Sequence, residues 1–221
     1  MSRHENSVVG KLDTPFGVDF DLVHGIMKDP EVHTVRLASS MRGHYKDAKA
    51  LEALIGAGDP VHYEVFEMKI PQEVGQLQFC ISKTWPGTVG GECFMTKGHY
   101  HAVPATAEVY LCLRGEGYML MKLPDGKSAF ERFLPGRMVY VPPFWGHRTV
   151  NTGEEPLISF CVYPGEAGHN YGDIEKEGFP LRVFKKAGIV QIVSSPGREA
   201  EGGQGRDSES PTRDGSPVKA G

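Results

Sequence analysis

The sequence predicts an all-β protein, built as an antiparallel sandwich or a small barrel. Glycine and proline supply 28 and 16 of the 221 residues, together about a fifth of the chain against an ordinary share of about 12%. This amount of turn chemistry favours many short strands over a helical bundle. Apolar and polar side chains also alternate in several closely spaced runs with no helical run between them, as in antiparallel sheets.

The predicted strands follow one another from residue 61 onwards. The first two, residues 61–68 and 77–82, alternate in polarity and are bounded by glycine or proline. Further runs occupy residues 92–101, 108–123, 136–142 and 156–164. Because no helix separates these runs, we expect neighbouring strands to pair antiparallel.

One short helix precedes most of these strands, and a polar tail follows them. Residues 47–55 (DAKALEALI) are rich in good helix formers and are closed by Gly56. Residues 194–221 contain no aromatic side chain and almost nothing apolar, so they cannot bury enough surface to offset the entropy of ordering. We therefore predict that this tail is disordered.

Charge and hydropathy exclude two classes of partner. The net charge of −4 gives no basic stripe for nucleic acid or anionic lipid. No apolar run approaches the roughly 20 residues of a membrane span, and residues 1–15 lack the apolar core of a signal peptide. We expect a cytoplasmic protein with no nucleic-acid or membrane partner.

The four cysteines are scattered, with no C-x-x-C spacing that would indicate a zinc or redox motif. In a reducing compartment we expect buried thiols rather than a disulfide or a cysteine-based zinc site. The four are Cys80, Cys93, Cys112 and Cys161.

The densest chemical signal is His99 and His101, followed by Glu108 and, further on, His147. Side chains of a strand alternate with period two, so we expect the first two histidines to leave the same face. Antiparallel pairing would bring Glu108 opposite them, and His147 would close the site from the opposite sheet. Three imidazoles and one carboxylate suit Fe(II), Mn, Ni, Co or Zn, whereas Ca or Mg sites are oxygen-rich.

These residues lie in stretches that resemble the two motifs of the cupin superfamily. The first motif starts at the histidine pair and ends at Glu108 and Gly115. The second contains Gly136, Pro142, His147 and Asn151. Two positions depart from the general pattern, because Phe144 stands where the second motif has glycine and Cys93 where a glycine precedes the histidine pair.

Longer segments resemble one branch of that superfamily, the cupin-type glucose-6-phosphate isomerases. The segments are residues 96–101, 106–117, 139–153 and 163–172. The resemblance implies a small cupin β-barrel (a double-stranded β-helix) with a short N-terminal helix and a disordered C-terminal tail. It divides the chain into an N-terminal segment (1–34), an isomerase domain (35–193) and the tail (194–221), and it implies a homodimer.

The same resemblance assigns the site residues. It implies one divalent metal per chain, iron first, on His99, His101, Glu108 and His147. It implies that Thr96 and Gly98 contact the substrate phosphate, that Ser82 does so where the family has threonine, and that Tyr63, Tyr110, Tyr163 and His169 line the sugar site. Within this set Glu108, Tyr110 and His169 are the catalytic candidates. Tyr110 follows Glu108 by two residues, so both would face one cavity.

The implied reaction is the aldose–ketose isomerisation between glucose 6-phosphate and fructose 6-phosphate, and its mechanism is left open. Glu108 is the natural general base of an enediol route, whereas a metal-assisted hydride shift needs no base. Two other functions are alternatives. A cupin dioxygenase would use a similar site with an apolar or aromatic substrate, and a non-catalytic sugar-binding cupin would keep the barrel but lose ligands.

Overall fold

The computed structural model describes residues 15–194 and 200–202. The two α-helices of this part are α1 (Ala48–Gly56) and α2 (Gly172–Glu177). The strands are, in chain order, β1 (Phe20–Asp21), β2 (Ile26–Met27), β3 (Val32–Leu37), β4 (Val61–Glu67), β5 (Leu77–Thr84), β6 (Thr88–Val89), β7 (Glu92–Cys93), β8 (Glu108–Arg114), β9 (Gly117–Lys122), β10 (Ser128–Phe133), β11 (Met138–Val141), β12 (Gly146–Asn151), β13 (Leu157–Pro164), β14 (Leu181–Lys186), β15 (Ile189–Ser194) and β16 (Ala200–Gly202).

Two sheets form the body of the molecule. A six-stranded sheet has the order β11-β8-β13-β5-β4-β3, and a four-stranded sheet has the order β12-β9-β10-β16. Neighbouring strands pair antiparallel except β10 and β16, which are parallel. Smaller sheets, β15-β14-β7-β6 and β1-β2, complete the described part. The all-β prediction is confirmed, as a cupin-like barrel of two facing sheets that are not joined into a closed cylinder.

The core between the two sheets explains why they face each other. Inward side chains of β8 and β13 pack with those of β9 and β10 in one buried cluster. Met119 and Phe133 of the four-stranded sheet are fully buried there, together with Tyr110 and Cys161 of the six-stranded sheet. On the opposite face of the larger sheet, Met27 from the N-terminal segment packs over β4, β5 and β13.

Most predicted elements occupy the expected positions. Strands β4, β5, β11 and β13 match their predicted runs, and the run 108–123 divides into β8 and β9 at a turn where Gly115 has φ of +79°. Helix α1 starts as predicted, since the carboxylate of Asp47 accepts a hydrogen bond from the Ala50 amide at 2.9 Å. Within the described residues, no helix is both long and apolar enough to span a membrane.

Two expectations need correction. Residues 92–101 are not one strand, because β7 ends at Cys93 and the rest forms only isolated bridges, including one between His99 and His147. Gly98, with φ of +76°, interrupts the extended backbone there. In the predicted tail, Ser194 ends β15 and Ala200–Gly202 form β16, so the predicted disorder does not apply to them. The other tail residues lie outside the described residues.

Candidate metal centre

The four predicted metal ligands meet between the two sheets. The ligand atoms of His99, His101, Glu108 and His147 all lie within 4.8 Å of one another. Glu108 begins β8 in the six-stranded sheet, whereas His147 lies in β12 of the four-stranded sheet. His99 is bridged to His147. Glu108 therefore reaches the histidines from across the barrel, and the expected antiparallel pairing of Glu108 with the His99 segment is wrong, since β8 pairs with β11 and β13.

Hydrogen bonds orient two of the imidazoles toward the carboxylate. His101 Nδ1 lies 2.8 Å from Thr106 Oγ1 and His147 Nδ1 lies 3.3 Å from the Trp145 carbonyl oxygen. The Nε2 atoms of these two histidines lie 3.2 and 2.8 Å from Glu108 Oε2. Outer partners of this kind fix the ring orientation that metal ligation needs. Thr106 was not predicted as a site residue, because its position inside the His101–Glu108 gap is its only sequence signal.

The protonation states suit a divalent metal. Burial alone would raise the pKa of Glu108, but the imidazoles of His147 and His101 hold that pKa far below its usual range. Burial and the neighbouring His147 lower the pKa of His99, which favours its neutral form. The buried Nε2 atom of His99 has no hydrogen-bond partner in the described part of the chain. An ionised Glu108 carboxylate, a neutral His99 imidazole and its unpaired nitrogen fit a metal of the Fe, Mn, Ni, Co or Zn group.

The cluster opens into a cavity of about 220 Å³. The cavity is lined by all seven residues that were predicted to contact the substrate, and three of the four metal ligands line it too. The seven are Tyr63, Ser82, Thr96, Gly98, Tyr110, Tyr163 and His169. Hydroxyl groups and rings thus surround one side of the metal cluster, which is the lining a polar ligand needs.

The aromatic residues of the cavity contact the cluster and one another. The Tyr110 hydroxyl lies 3.2 Å from His147 Nε2. Burial and the nearby Glu108 raise the pKa of Tyr110, so its hydroxyl stays protonated. His169 lines the cavity with its ring centroid 4.4 Å from that of His99, and partial burial of the ring lowers its pKa. Tyr163 donates a hydrogen bond to Glu67 at 3.4 Å.

Two arginines in the cavity wall were missed by the sequence analysis. Arg36 of β3 lines the cavity near Tyr63, and its buried Nε has no hydrogen-bond partner among the described residues. Arg148 is buried, donates to the carbonyl oxygen of Lys97, and has its pKa lowered by burial to about 10. Alternation in VHTVRL places Arg36 on one face of a strand, but a lone arginine in a strand gives no sign of which face is buried.

Four further cavity residues were not among the predicted site residues. Glu67, Tyr171, Cys80 and Cys161 also line the cavity. Burial raises the pKa of Glu67 and raises that of Tyr171 to about 12. Fold and site together define a cupin-type protein with a three-histidine, one-glutamate cluster beneath a polar, aromatic-lined pocket.

Comparison with known proteins specifies the family. Residues 35–193 match the family model of glucose-6-phosphate isomerase (GPI). The glucose-6-phosphate isomerase of Thermococcus litoralis is 43% identical over 186 residues, which cover 84% of this chain and 97% of that protein. Those of Thermococcus gammatolerans and Pyrococcus furiosus are 45% and 43% identical over 182 residues, covering 82% of this chain and 95% and 96% of theirs. The chain belongs to the glucose-6-phosphate isomerase family.

Similarity to solved structures is weaker. A Lactobacillus farciminis oxalate decarboxylase in complex with formate has a TM-score of 0.40 and 21% identity, over 49% of this chain and 30% of that chain. A structure of oxalate oxidase has a TM-score of 0.43 and 13% identity, over 51% of this chain and 56% of that chain.

Proposed function

We propose that this chain interconverts glucose 6-phosphate and fructose 6-phosphate, using one divalent metal on His99, His101, Glu108 and His147. The observation that carries the proposal is the complete ligand cluster at the floor of a cavity whose walls offer hydroxyl groups and guanidinium groups. A phosphorylated sugar needs both: donors for its hydroxyl groups and positive charge for its phosphate. Family membership supports the same reaction.

At the floor of the cavity, the substrate carbons that exchange hydrogen would lie beside Glu108 and Tyr110. When bound, the metal would supply Lewis-acid stabilisation of negative charge on the substrate oxygens. The protonated Tyr110 hydroxyl is a donor for one of those oxygens. Glu108 is the candidate general base, although the imidazoles that lower its pKa also weaken it as a base. A hydride shift, which needs no base, is therefore the competing route.

At the other end, the phosphate would lie among Thr96, Gly98 and Ser82, with Arg36 as the cation. The first three offer hydroxyl or backbone N–H donors but no charge. Arg36 adds a guanidinium whose buried Nε has no partner among the described residues, and a planar fork of donors matches phosphate geometry. Arg148 holds the segment that carries Thr96 and Gly98, through its bond to Lys97.

Iron as the metal, a homodimeric assembly and a cytoplasmic location belong to the same proposal. The donor set supports iron without distinguishing it from Mn, Ni, Co or Zn.

The homodimer is supported by exposed apolar side chains of β11 and the loop after it, Met138, Tyr140 and Phe144. Phe144 has φ of +72°, which explains why the general cupin motif has glycine at its position. Sedimentation velocity of Tyr140→Glu tests the dimer, since a charge at an apolar interface would produce monomers.

The test of function is a coupled assay of metal-reconstituted protein with fructose 6-phosphate, run with and without a chelator. Metal-dependent formation of glucose 6-phosphate is the expected result. Calorimetric binding of the sugar phosphate without turnover would support the non-catalytic cupin instead. Oxygen consumption with an aromatic substrate would support a dioxygenase. Either of these outcomes, with no isomerisation, contradicts the proposal.

A further inference from the structure

Two cysteines lie side by side in the wall of the cavity, and the proposed isomerisation uses neither. Cys80 of β5 and Cys161 of β13 are directly opposite each other in the antiparallel register. Both are buried, and both line the cavity. Cys161 Sγ donates a hydrogen bond to the Cys80 carbonyl oxygen at 3.7 Å. Both are free thiols in this structure.

The pair belongs to a row of inward side chains that crosses the six-stranded sheet. Glu67 of β4 is opposite Cys80, and Tyr110 of β8 is opposite Cys161. The row therefore runs Glu67, Cys80, Cys161, Tyr110. The dithiol is one strand away from the tyrosine whose hydroxyl contacts His147, so a change in its geometry acts directly on the floor of the cavity.

The backbone geometry suits a disulfide. Directly opposed residues of antiparallel strands have Cα atoms about 4.5 or 5.5 Å apart, and disulfides accept roughly 4.4–6.8 Å. The other two cysteines lack this arrangement, although both are buried. Cys112 is opposite Ser159 and Cys93 is opposite Thr88. Among the described strand pairs, only Cys80 and Cys161 are placed to be joined without moving the backbone far.

We propose that Cys80 and Cys161 are a reversible oxidation site, at which a small hydroperoxide entering the cavity forms a cross-strand disulfide. One sulfur attacks the peroxide, its S–H proton leaves with the departing oxygen as water or alcohol, and a sulfenic acid remains. The second sulfur then attacks the first, and the hydroxyl leaves as water with the proton of the second thiol. Each sulfur loses one electron, the two peroxide oxygens gain two in total, and an external thiol reverses the change.

The new bond alters the wall beside the reaction centre. Two separate thiols become sulfurs about 2.05 Å apart, which reorients both side chains in the wall at the row that contains Tyr110. Catalytic groups tolerate little displacement, since an error of about 1 Å costs roughly 10²-fold in rate. We expect the oxidised protein to lose at least about tenfold in turnover. This second expectation rests on the proposed isomerase activity, whereas formation of the bond does not.

The experiment treats zinc-loaded protein with hydrogen peroxide and reads intact mass, linked peptides and turnover separately. The expected result is loss of two hydrogen atoms, a linked peptide pair containing Cys80 and Cys161, lower turnover, and recovery of both mass and turnover with dithiothreitol. The matched control is Cys93→Ala/Cys112→Ala, which keeps the pair and should form the same link. Cys161→Ser should not lose two hydrogens. Its turnover after peroxide treatment should equal the turnover of the same variant before treatment.

If a variant folds poorly, peptide mapping of the peroxide-treated protein without substitutions still tests the proposed link. Overoxidation of single cysteines, a link through Cys93 or Cys112, or an unchanged mass would overturn the site. A correct link with undiminished turnover would overturn its effect on catalysis. Protein that links correctly yet shows no isomerisation before oxidation would count against the proposed function alone.

Discussion

The two ends of the cavity are built in different ways. At the metal end, Glu108 is held by His101 and His147 at 3.2 and 2.8 Å, and the Nε2 atom of His99 is left without a partner among the described residues. At the proposed phosphate end, Arg36 lines the cavity together with neutral donors, and its buried Nε is unpaired in the described residues. The unpaired atom of the first end fits a metal, and that of the second fits a ligand that supplies an acceptor. Damage to the first should reduce turnover, and damage to the second should weaken binding.

The largest effect should come from removing two ligands at the metal end. His99→Ala/His101→Ala leaves two donors, so metal occupancy should collapse and turnover should fall to that of the chelator-treated protein. Elemental analysis of the purified variant, followed by the coupled assay, measures both. The matched control is His24→Ala/His33→Ala, which removes two histidines with exposed side chains. Retained occupancy in the first variant would eliminate the proposed metal site.

The next largest effect concerns Glu108 as a base. Glu108→Gln is nearly isosteric and keeps an oxygen ligand, so metal-saturated variant should stay folded while turnover falls by the roughly 10²–10⁴-fold typical of losing a general base. Glu67→Gln is the matched control, because Glu67 is the other carboxylate that lines the cavity.

Deuterated water then separates the two routes. Proton transfer through a base can incorporate solvent deuterium at the transferred position, whereas a hydride shift cannot. Absence of deuterium alone does not exclude a base, because a shielded base can return the same proton. Near-normal turnover of metal-loaded Glu108→Gln would leave Glu108 as a ligand only and favour the hydride route. An equal loss in Glu67→Gln would show that a cavity carboxylate is needed for charge, without singling out Glu108.

At the phosphate end, Arg36→Met should mainly weaken binding. Charged hydrogen bonds contribute about 1.5–3 kcal/mol, so KM for fructose 6-phosphate should rise about 10- to 150-fold. The phosphate keeps its charge throughout the reaction, so kcat should change much less than KM. Inhibition by inorganic phosphate should weaken in parallel. Arg42→Met, at an arginine exposed and paired with Glu52, controls for loss of one positive charge. A fall in kcat with KM unchanged would contradict this role.

The same two ends also differ in how far the sequence predicts them. The predicted ligands at the metal end have a recognisable spacing in the sequence. The structure brings these side chains together, namely His99, His101, Glu108 and His147. Its backbone was mispredicted, since Gly98 breaks the expected strand and Glu108 comes from the facing sheet. Alternation reports which residues share a face of one strand, but not which strands of two sheets lie opposite each other.

The proposed phosphate end was predicted less well from the sequence than the metal end. Arg36 lies in β3, a strand that was not predicted from the sequence. The polar residues of this strand interrupt its apolar ones, so no hydrophobic run marks it. Strands β10, β12, β14 and β15 and the short helix α2 were not predicted either. Charged residues interrupt the apolar pattern of β10, β12 and β14, whereas β15 carries no charged side chain. A cationic side chain becomes recognisable as a ligand group only when the structure shows that its Nε is buried without a partner.

The smallest effect should come from Ser82, which tests whether neutral donors at the phosphate end matter individually. Ser82 is buried in β5 and lines the cavity. A neutral hydrogen bond contributes about 0.5–1.5 kcal/mol, so Ser82→Ala should raise KM about 2- to 10-fold. Ser82→Thr keeps the hydroxyl, matches the threonine implied by the family resemblance, and should retain the original KM. Because Ser159 is opposite Ser82 in the register and is also buried, Ser159→Ala controls for loss of a hydroxyl from the same row. An equal change in KM for both alanine variants would mean that packing, and not the bond to phosphate, explains the loss.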